Sequence, residues 1–317
     1  MFHGVQFIPP DTKIDFVGYR TITWIVSALL TVVPLLLVAT LGLNMGIDFQ
    51  GGTLIEIQTK ERPANLADIR GKVSGLGIGE VQIQEFGADN AVLIRIASQP
   101  TEQLQQDSIA KVKQALGDTV DYRRVEIVGP TISGELIASG TIAVVVAMLG
   151  ILIYVWFRFE WQFGVAAIAS LIHDVTGTIG LYSLLQLEFN VSSIAALLTI
   201  IGYSLNDKVV IFDRVRENLR KYKRMPLVEL LDLSINETLS RTVLTHVTTF
   251  LAMLPFLFFG GDAIHGFAVA MCFGIVIGVY SSIFVASPLQ LILGVRRDAF
   301  AAAPAPAKGR GAAAARV

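Results

Sequence analysis

The sequence predicts an α-helical integral membrane protein with six transmembrane helices and one βαββαβ, ferredoxin-like domain outside the membrane, between helices 1 and 2. Three observations lead there. Of 317 residues, 53% are hydrophobic and only 16% charged, against roughly 25% charged in soluble domains. Long apolar runs flank one stretch, residues 48–135, of ordinary soluble composition. Arginine and lysine gather in alternate connections, as they do on the cytoplasmic face of a membrane protein.

Residues 1–20 are short and polar, with Lys13 and Arg20 ahead of an apolar run at 21–43. That run is about long enough to span a bilayer. It is too long for a signal-peptide core and no small-x-small cleavage site follows, so it predicts a retained anchor with a cytoplasmic N-terminus. In the soluble stretch, residues 53–59 alternate as a half-buried strand does. Leu66, Ile69 and Val73 recur at helical spacing within a helix at 64–76. Strands follow at 81–86 and 91–97 around a turn at 87–90. A second helix covers 101–116, with Thr101 as N-cap and Glu102 favourably placed in the first turn. Leu104 stands where a capping box would have Glu or Gln. A last strand at 119–128 completes the split βαβ order. The domain carries no nucleophile–base pair and no phosphate loop, which predicts a binding or coupling module.

Further spans are predicted at 136–156, 164–184, from 195 toward 218, at 242–259 and within 265–293. The loops at 186–193 and 260–264 carry no Lys or Arg, whereas a basic loop at 214–240 holds Arg214, Arg216, Arg220, Lys221, Lys223 and Arg224. Both termini are therefore expected inside and the soluble domain outside. Residues 298–317, rich in Ala, Pro, Gly and Arg, read as a disordered cytoplasmic tail. A net charge of −1 gives no case for nucleic acid. The single Cys272 and four scattered histidines offer no metal-ligand spacing, so neither a metal nor an organic cofactor is expected. Cys272 reads as a packing residue.

The fourth span holds a contradiction: Asn206, Asp207 and Lys208 interrupt an apolar run that resumes at Val209. A charge near the bilayer centre costs a few kcal/mol even on lenient scales and marks function by default. Arg241 opens the fifth span, followed by Thr242, Thr245, His246, Thr248 and Thr249, while His173 and Asp174 lie inside the third. Counted from the cytoplasmic face, these positions fall within about three helical turns in depth. The pattern predicts a proton path through Asp207, Arg241, Asp174, Asn206 and His173. A carboxylate beside an arginine stays ionised, and moving the arginine away lets it take up a proton. The plainer alternative is a static Asp207–Arg241 pair pinning two helices. Lys208 reads as pointing to an aqueous cavity or reaching to the nearer interface. Asp48-Phe49-Gln50-Gly51-Gly52-Thr53 follows the first span, and its glycines permit backbone geometry closed to other residues. Asp48, Phe49, Gly51, Gly52 and Thr53 are thus expected to fix how the span enters the outer domain, with Gly129-Pro130 and Gly134-Glu135 at the return.

Several long motifs stand in one order: residues 46–53 (GIDFQGGT), 172–174 (IHD), 201–207 (IGYSLND), 212–218 (FDRVREN) and 236–242 (NETLSRT). Together they resemble the SecD/SecF family of bacterial protein export, in its SecF branch, within the resistance–nodulation–division superfamily. The resemblance covers residues 1 to about 297. It implies a translocase subunit of the cell inner membrane with its soluble domain in the periplasm. The implied partners are SecD, the SecYEG channel and YajC, with a translocating preprotein as substrate and protons as the coupling ion. Proton flow would pull preproteins outward after SecA has pushed them in, and Asp207 and Arg241 match positions that the family uses for proton transport. A membrane aspartate of SecD would complete the site. Lys208 departs from the pattern, where a small or hydroxylated residue is expected. The competing functions are a proton-coupled small-molecule or lipid exporter of the same superfamily and a non-transporting scaffold.

Overall fold

A computed structural model describes residues 9, 12–60 and 62–295. The predicted tail at 298–317, Arg296, Arg297 and most of residues 1–11 lie outside the described residues. Helix α1 (Arg20–Leu41) leads through a single helical turn, α2 (Ile47–Gln50), into the soluble unit. That unit runs β1 (Gly52–Thr59), α3 (Leu66–Ser74), β2 (Val81–Phe86), β3 (Ala88–Ile96), α4 (Glu102–Leu116) and β4 (Val120–Val128). Helices α5 (Pro130–Arg158), α6 (Trp161–Leu185), α7 (Val191–Lys221), α8 (Leu227–Phe259) and α9 (Asp262–Ser281) follow. A π-helical turn, Ser282–Ala286, joins α9 to α10 (Ser287–Ile292). Among the described residues six helices are long and apolar enough to cross a membrane, the last counted as Ile264–Ile292 through the π turn.

The four-stranded sheet is antiparallel throughout, in the order β2-β3-β1-β4. Alternation along β1 and β3 sends Ile55, Ile57, Val92, Ile94 and Ile96 to one face. There they pack with Ile69 and Val73 of α3 and Ile109, Val112 and Leu116 of α4. The helices start where their caps are: Asn65 accepts from Asp68 N–H (3.1 Å) and Thr101 from Leu104 N–H (3.4 Å). The turn expected at 87–90 is tighter. Phe86 already pairs with Ala88, and Gly87 makes the reversal at φ +74°, which a side chain would resist.

Two boundaries differ from the sequence reading. Proline at the first position lets α5 begin at Pro130, with one residue between it and β4 and six residues before the span expected from 136, so the return junction is itself helical. The basic loop expected at 214–240 is helical except at residues 222–226. The charges occupy one side of each helix while Val215, Leu219, Leu230, Leu231 and Ile235 bury on the other. Asn218 Nδ2 donates across the pair to Ser234 Oγ (3.0 Å) and Glu237 Oε2 (2.7 Å). Positive charge marks the side of the membrane and says nothing of whether the helix has stopped.

Candidate functional site

Successive residues of a helix point about 100° apart, so Asp207 and Lys208 on α7 face different neighbours. The structure gives each its own. Lys208 turns inward, where its ammonium lies 3.1 Å from Asp174 Oδ2, both side chains fully buried. The same carboxylate oxygen accepts from Ser204 Oγ (2.6 Å) on α7 and Ser281 Oγ (2.8 Å) at the end of α9. Lys208 donates to Ser281 Oγ at 3.0 Å and also to Ser204 Oγ. His173 Nδ1 stands 3.3 Å from the other oxygen of Asp174. Lys208 thus neither reaches an interface nor points to a cavity, contrary to the sequence reading. A buried charge survives where it is paired and its remaining hydrogen-bonding capacity is met. Small neighbours make room, since Gly278 packs against Ser204 with an added Cβ 3.2 Å from its hydroxyl.

Asp207 points the other way, toward α8. Its Oδ2 lies 3.1 Å from His246 Nε2, and both side chains are buried. His246 Nδ1 is 2.8 Å from the Thr242 carbonyl oxygen one turn earlier. The Tyr203 ring meets the imidazole edge-on, with centroids 4.9 Å apart. The Tyr203 hydroxyl is itself held by Thr245 O (3.0 Å) and Thr249 Oγ1 (3.1 Å).

The Asp207–Arg241 pair considered from sequence is not formed: Arg241 is exposed, and among the described residues the partner of Asp207 is His246. Arg241 precedes His246 by a turn and a half, roughly 7.5 Å along the axis, and emerges on the flank of the bundle. Asn206 is also exposed there, with Thr199 and Gly202 on α7 and Thr248 on α8. The structure therefore joins His173 with Asp174, sets Asp207 apart from them, and leaves Asn206 and Arg241 at the surface. His246 and Lys208 are the two partners that the sequence reading did not assign. For His246 a signal was present, a titratable residue on a threonine-lined helix facing an intramembrane carboxylate.

The junction motif forms a second constellation. Asp48 Oδ2 accepts from Val191 N–H (3.0 Å), the first residue of α7, supplying an acceptor for a donor that has none within the helix. Phe49 packs on Phe189. Gly51 and Gly52 hold φ of +69° and +122°, and a Cβ on Gly52 would run into the Ile96 carbonyl. Thr53 is fully buried beside them. Arg95 of β3 pairs with Glu188 (2.9 Å) in the α6–α7 connection and donates to Asn44 Oδ1 (2.9 Å). Gly46 N–H to Phe189 O and Phe189 N–H to Asn44 O, both 2.8 Å, close the clamp. Between the helix-free face of the sheet and the ends of α7 and α9 lies a cleft of about 690 Å³, lined by residues including Leu54, Glu56, Glu126, Glu188 and His265.

Six membrane-length helices, a small antiparallel sheet and charges buried between helices define a multi-pass membrane protein with an intramembrane polar site. The chain belongs to the SecD/SecF family. The family model for the protein export membrane protein SecD/SecF, C-terminal region, matches residues 108–296, and that for the SecD/SecF GG motif matches 36–61. The chain is 46% identical over 308 residues to the protein translocase subunit SecF of Cereibacter sphaeroides, covering 94% of each. It is 42% identical to that of Rickettsia felis, covering 93% of this chain and 96% of the relative. The crystal structure of SecDF, a translocon-associated membrane protein from Thermus thermophilus, superposes with a TM-score of 0.81 at 37% identity, over 92% of this chain. This chain spans 40% of that longer one.

Proposed function

We propose that this chain is a SecF-type accessory subunit of Sec protein export, working with SecD to couple the proton motive force to late steps of preprotein translocation. The observation that carries this reading is the exposed flank of α7 and α8. Arg241 and Asn206 sit there bare, beside a buried carboxylate–histidine pair. Lipid tails cannot satisfy a guanidinium or an amide, and polar residues in spans face protein or water. The spans of SecD are the natural cover, and a carboxylate there would meet Arg241. On this reading the chain lies in the inner membrane with both termini cytoplasmic. Residues 48–135 form a periplasmic ferredoxin-like domain, and the assembled complex serves the SecYEG channel with YajC as a neighbour. One charge crossing the membrane is worth about 2.3 kcal/mol per 100 mV, enough to bias a two-state movement.

The test is export of a secretory precursor in cells whose only copy carries Asp207→Asn, with membrane levels checked. Precursor accumulation at normal protein level supports the reading. Normal export rejects it.

A further inference from the structure

The hydrogen positions at His246 follow from its neighbours. A backbone carbonyl only accepts, so the 2.8 Å contact with Thr242 O requires a hydrogen on Nδ1. In neutral imidazole that leaves a lone pair on Nε2, the nitrogen facing Asp207 Oδ2 at 3.1 Å. Among the described residues neither Nε2 nor Oδ2 has a hydrogen-bond partner; the two buried atoms simply face each other at 3.1 Å. An ionised Asp207 opposite a neutral His246 would set two lone pairs against each other in a buried site, which is unfavourable. One proton between them removes the conflict. It resides on the carboxyl and is donated to Nε2, or it resides on Nε2 and is donated to the carboxylate. The two forms carry the same net charge and interconvert by one short proton transfer.

The surrounding groups do not supply that proton's alternative. On α7, Lys208 is committed to Asp174, Ser204 and Ser281, and the Tyr203 hydroxyl donates to α8. On α6, His173 faces Asp174. On α8, Arg241 is at the surface, and Thr242 Oγ1, buried with no partner, carries no charge.

We propose that Asp207 and His246 form one proton-sharing unit, so that the intramembrane proton is held by the pair rather than by the carboxylate alone. This rests on the proton-driven reading above. Loading places one proton between Oδ2 and Nε2. Release sends the proton to water or a partner's carboxylate and leaves a negative charge on Asp207, within electrostatic reach of Lys208 and of Arg241 on the flank.

The experiment uses the full-length protein with its SecD partner in lipid nanodiscs, with ¹⁵N-histidine for NMR and infrared detection of the protonated carboxyl. His246→Gln assigns the signal. The wild-type spectrum alone decides the tautomer: the expected result is a hydrogen on Nδ1 at every pH, with Nε2 and the Asp207 carboxyl changing together as one proton is lost. A bare Nδ1 with a hydrogen on Nε2 overturns the proposal. So does an Asp207 carboxyl transition that is unchanged in both His246→Gln and His246→Phe. If Asp207→Asn blocks export while those two variants leave the carboxyl transition and the pH dependence of export intact, the proton-driven reading stands and the pair falls. If Asp207→Asn exports normally, the reading itself falls, and the pair loses its role with it.

Discussion

Two charged clusters share one turn of α7, and they are built on opposite principles. Asp174–Lys208 is saturated: the cation, the carboxylate and two serine hydroxyls bind one another across α6, α7 and α9 with no solvent contact. Asp207–His246 is sparse, one contact between two otherwise unpartnered atoms next to an exposed flank. A saturated pair resists change, because removing either partner strands a buried charge. A sparse pair needs only one proton to change state. The first staples three helices together, and the second is left free to respond.

The sharpest way to break this contrast is to unpair the staple. Lys208→Met should destabilise the protein by about 3–5 kcal/mol, because Asp174 is then buried without a counter-charge. Combining it with Asp174→Leu should recover most of that loss, read from thermal unfolding in detergent. Gly52→Ala should cost about 1–3 kcal/mol through its positive φ and the Ile96 carbonyl. The loss should appear first as protease sensitivity at the junction, with the staple intact. His246→Gln should cost only about 0.6–1.7 kcal/mol, the range of single hydrogen bonds between membrane helices, while abolishing the joint titration with Asp207. Glu160, the N-cap residue of α6, gives the smallest effect. Burial raises its carboxyl above the ordinary range, against the pull of Arg216 and Arg220. The folded state therefore binds its proton more tightly than the unfolded chain does, and its contribution to stability is lost as pH rises through the raised value. Glu160→Gln should flatten that part of the stability–pH curve by no more than about a few tenths of a kcal/mol, since solvent screens the site.

The spans were legible because each is a long apolar run, and the soluble unit because its alternation changes period between strand and helix. What was not legible was direction. Asp207 and Lys208 are adjacent letters, and only the positions of α6, α8 and α9 decide that one faces a histidine and the other an aspartate. The spacing of Thr242, Thr245, His246 and Thr249 marks a polar helix face without naming what it meets. The continuation of α7 and α8 past the membrane was hidden for a related reason. Arginines on the wet side of a helix look, letter by letter, like arginines in a loop.

The hydrogen bond from Val191 N–H to Asp48 gives α7 a mechanical character. Its capped end is tied through Gly46, Asn44, Glu188 and Arg95 to the sheet, and Asp207 lies sixteen residues along the same rod, about 24 Å away. A continuous helix transmits axial thrust and torque with little loss. Any shift of α7 against α8 would therefore be delivered, as stroke or as twist, to the root of the soluble unit.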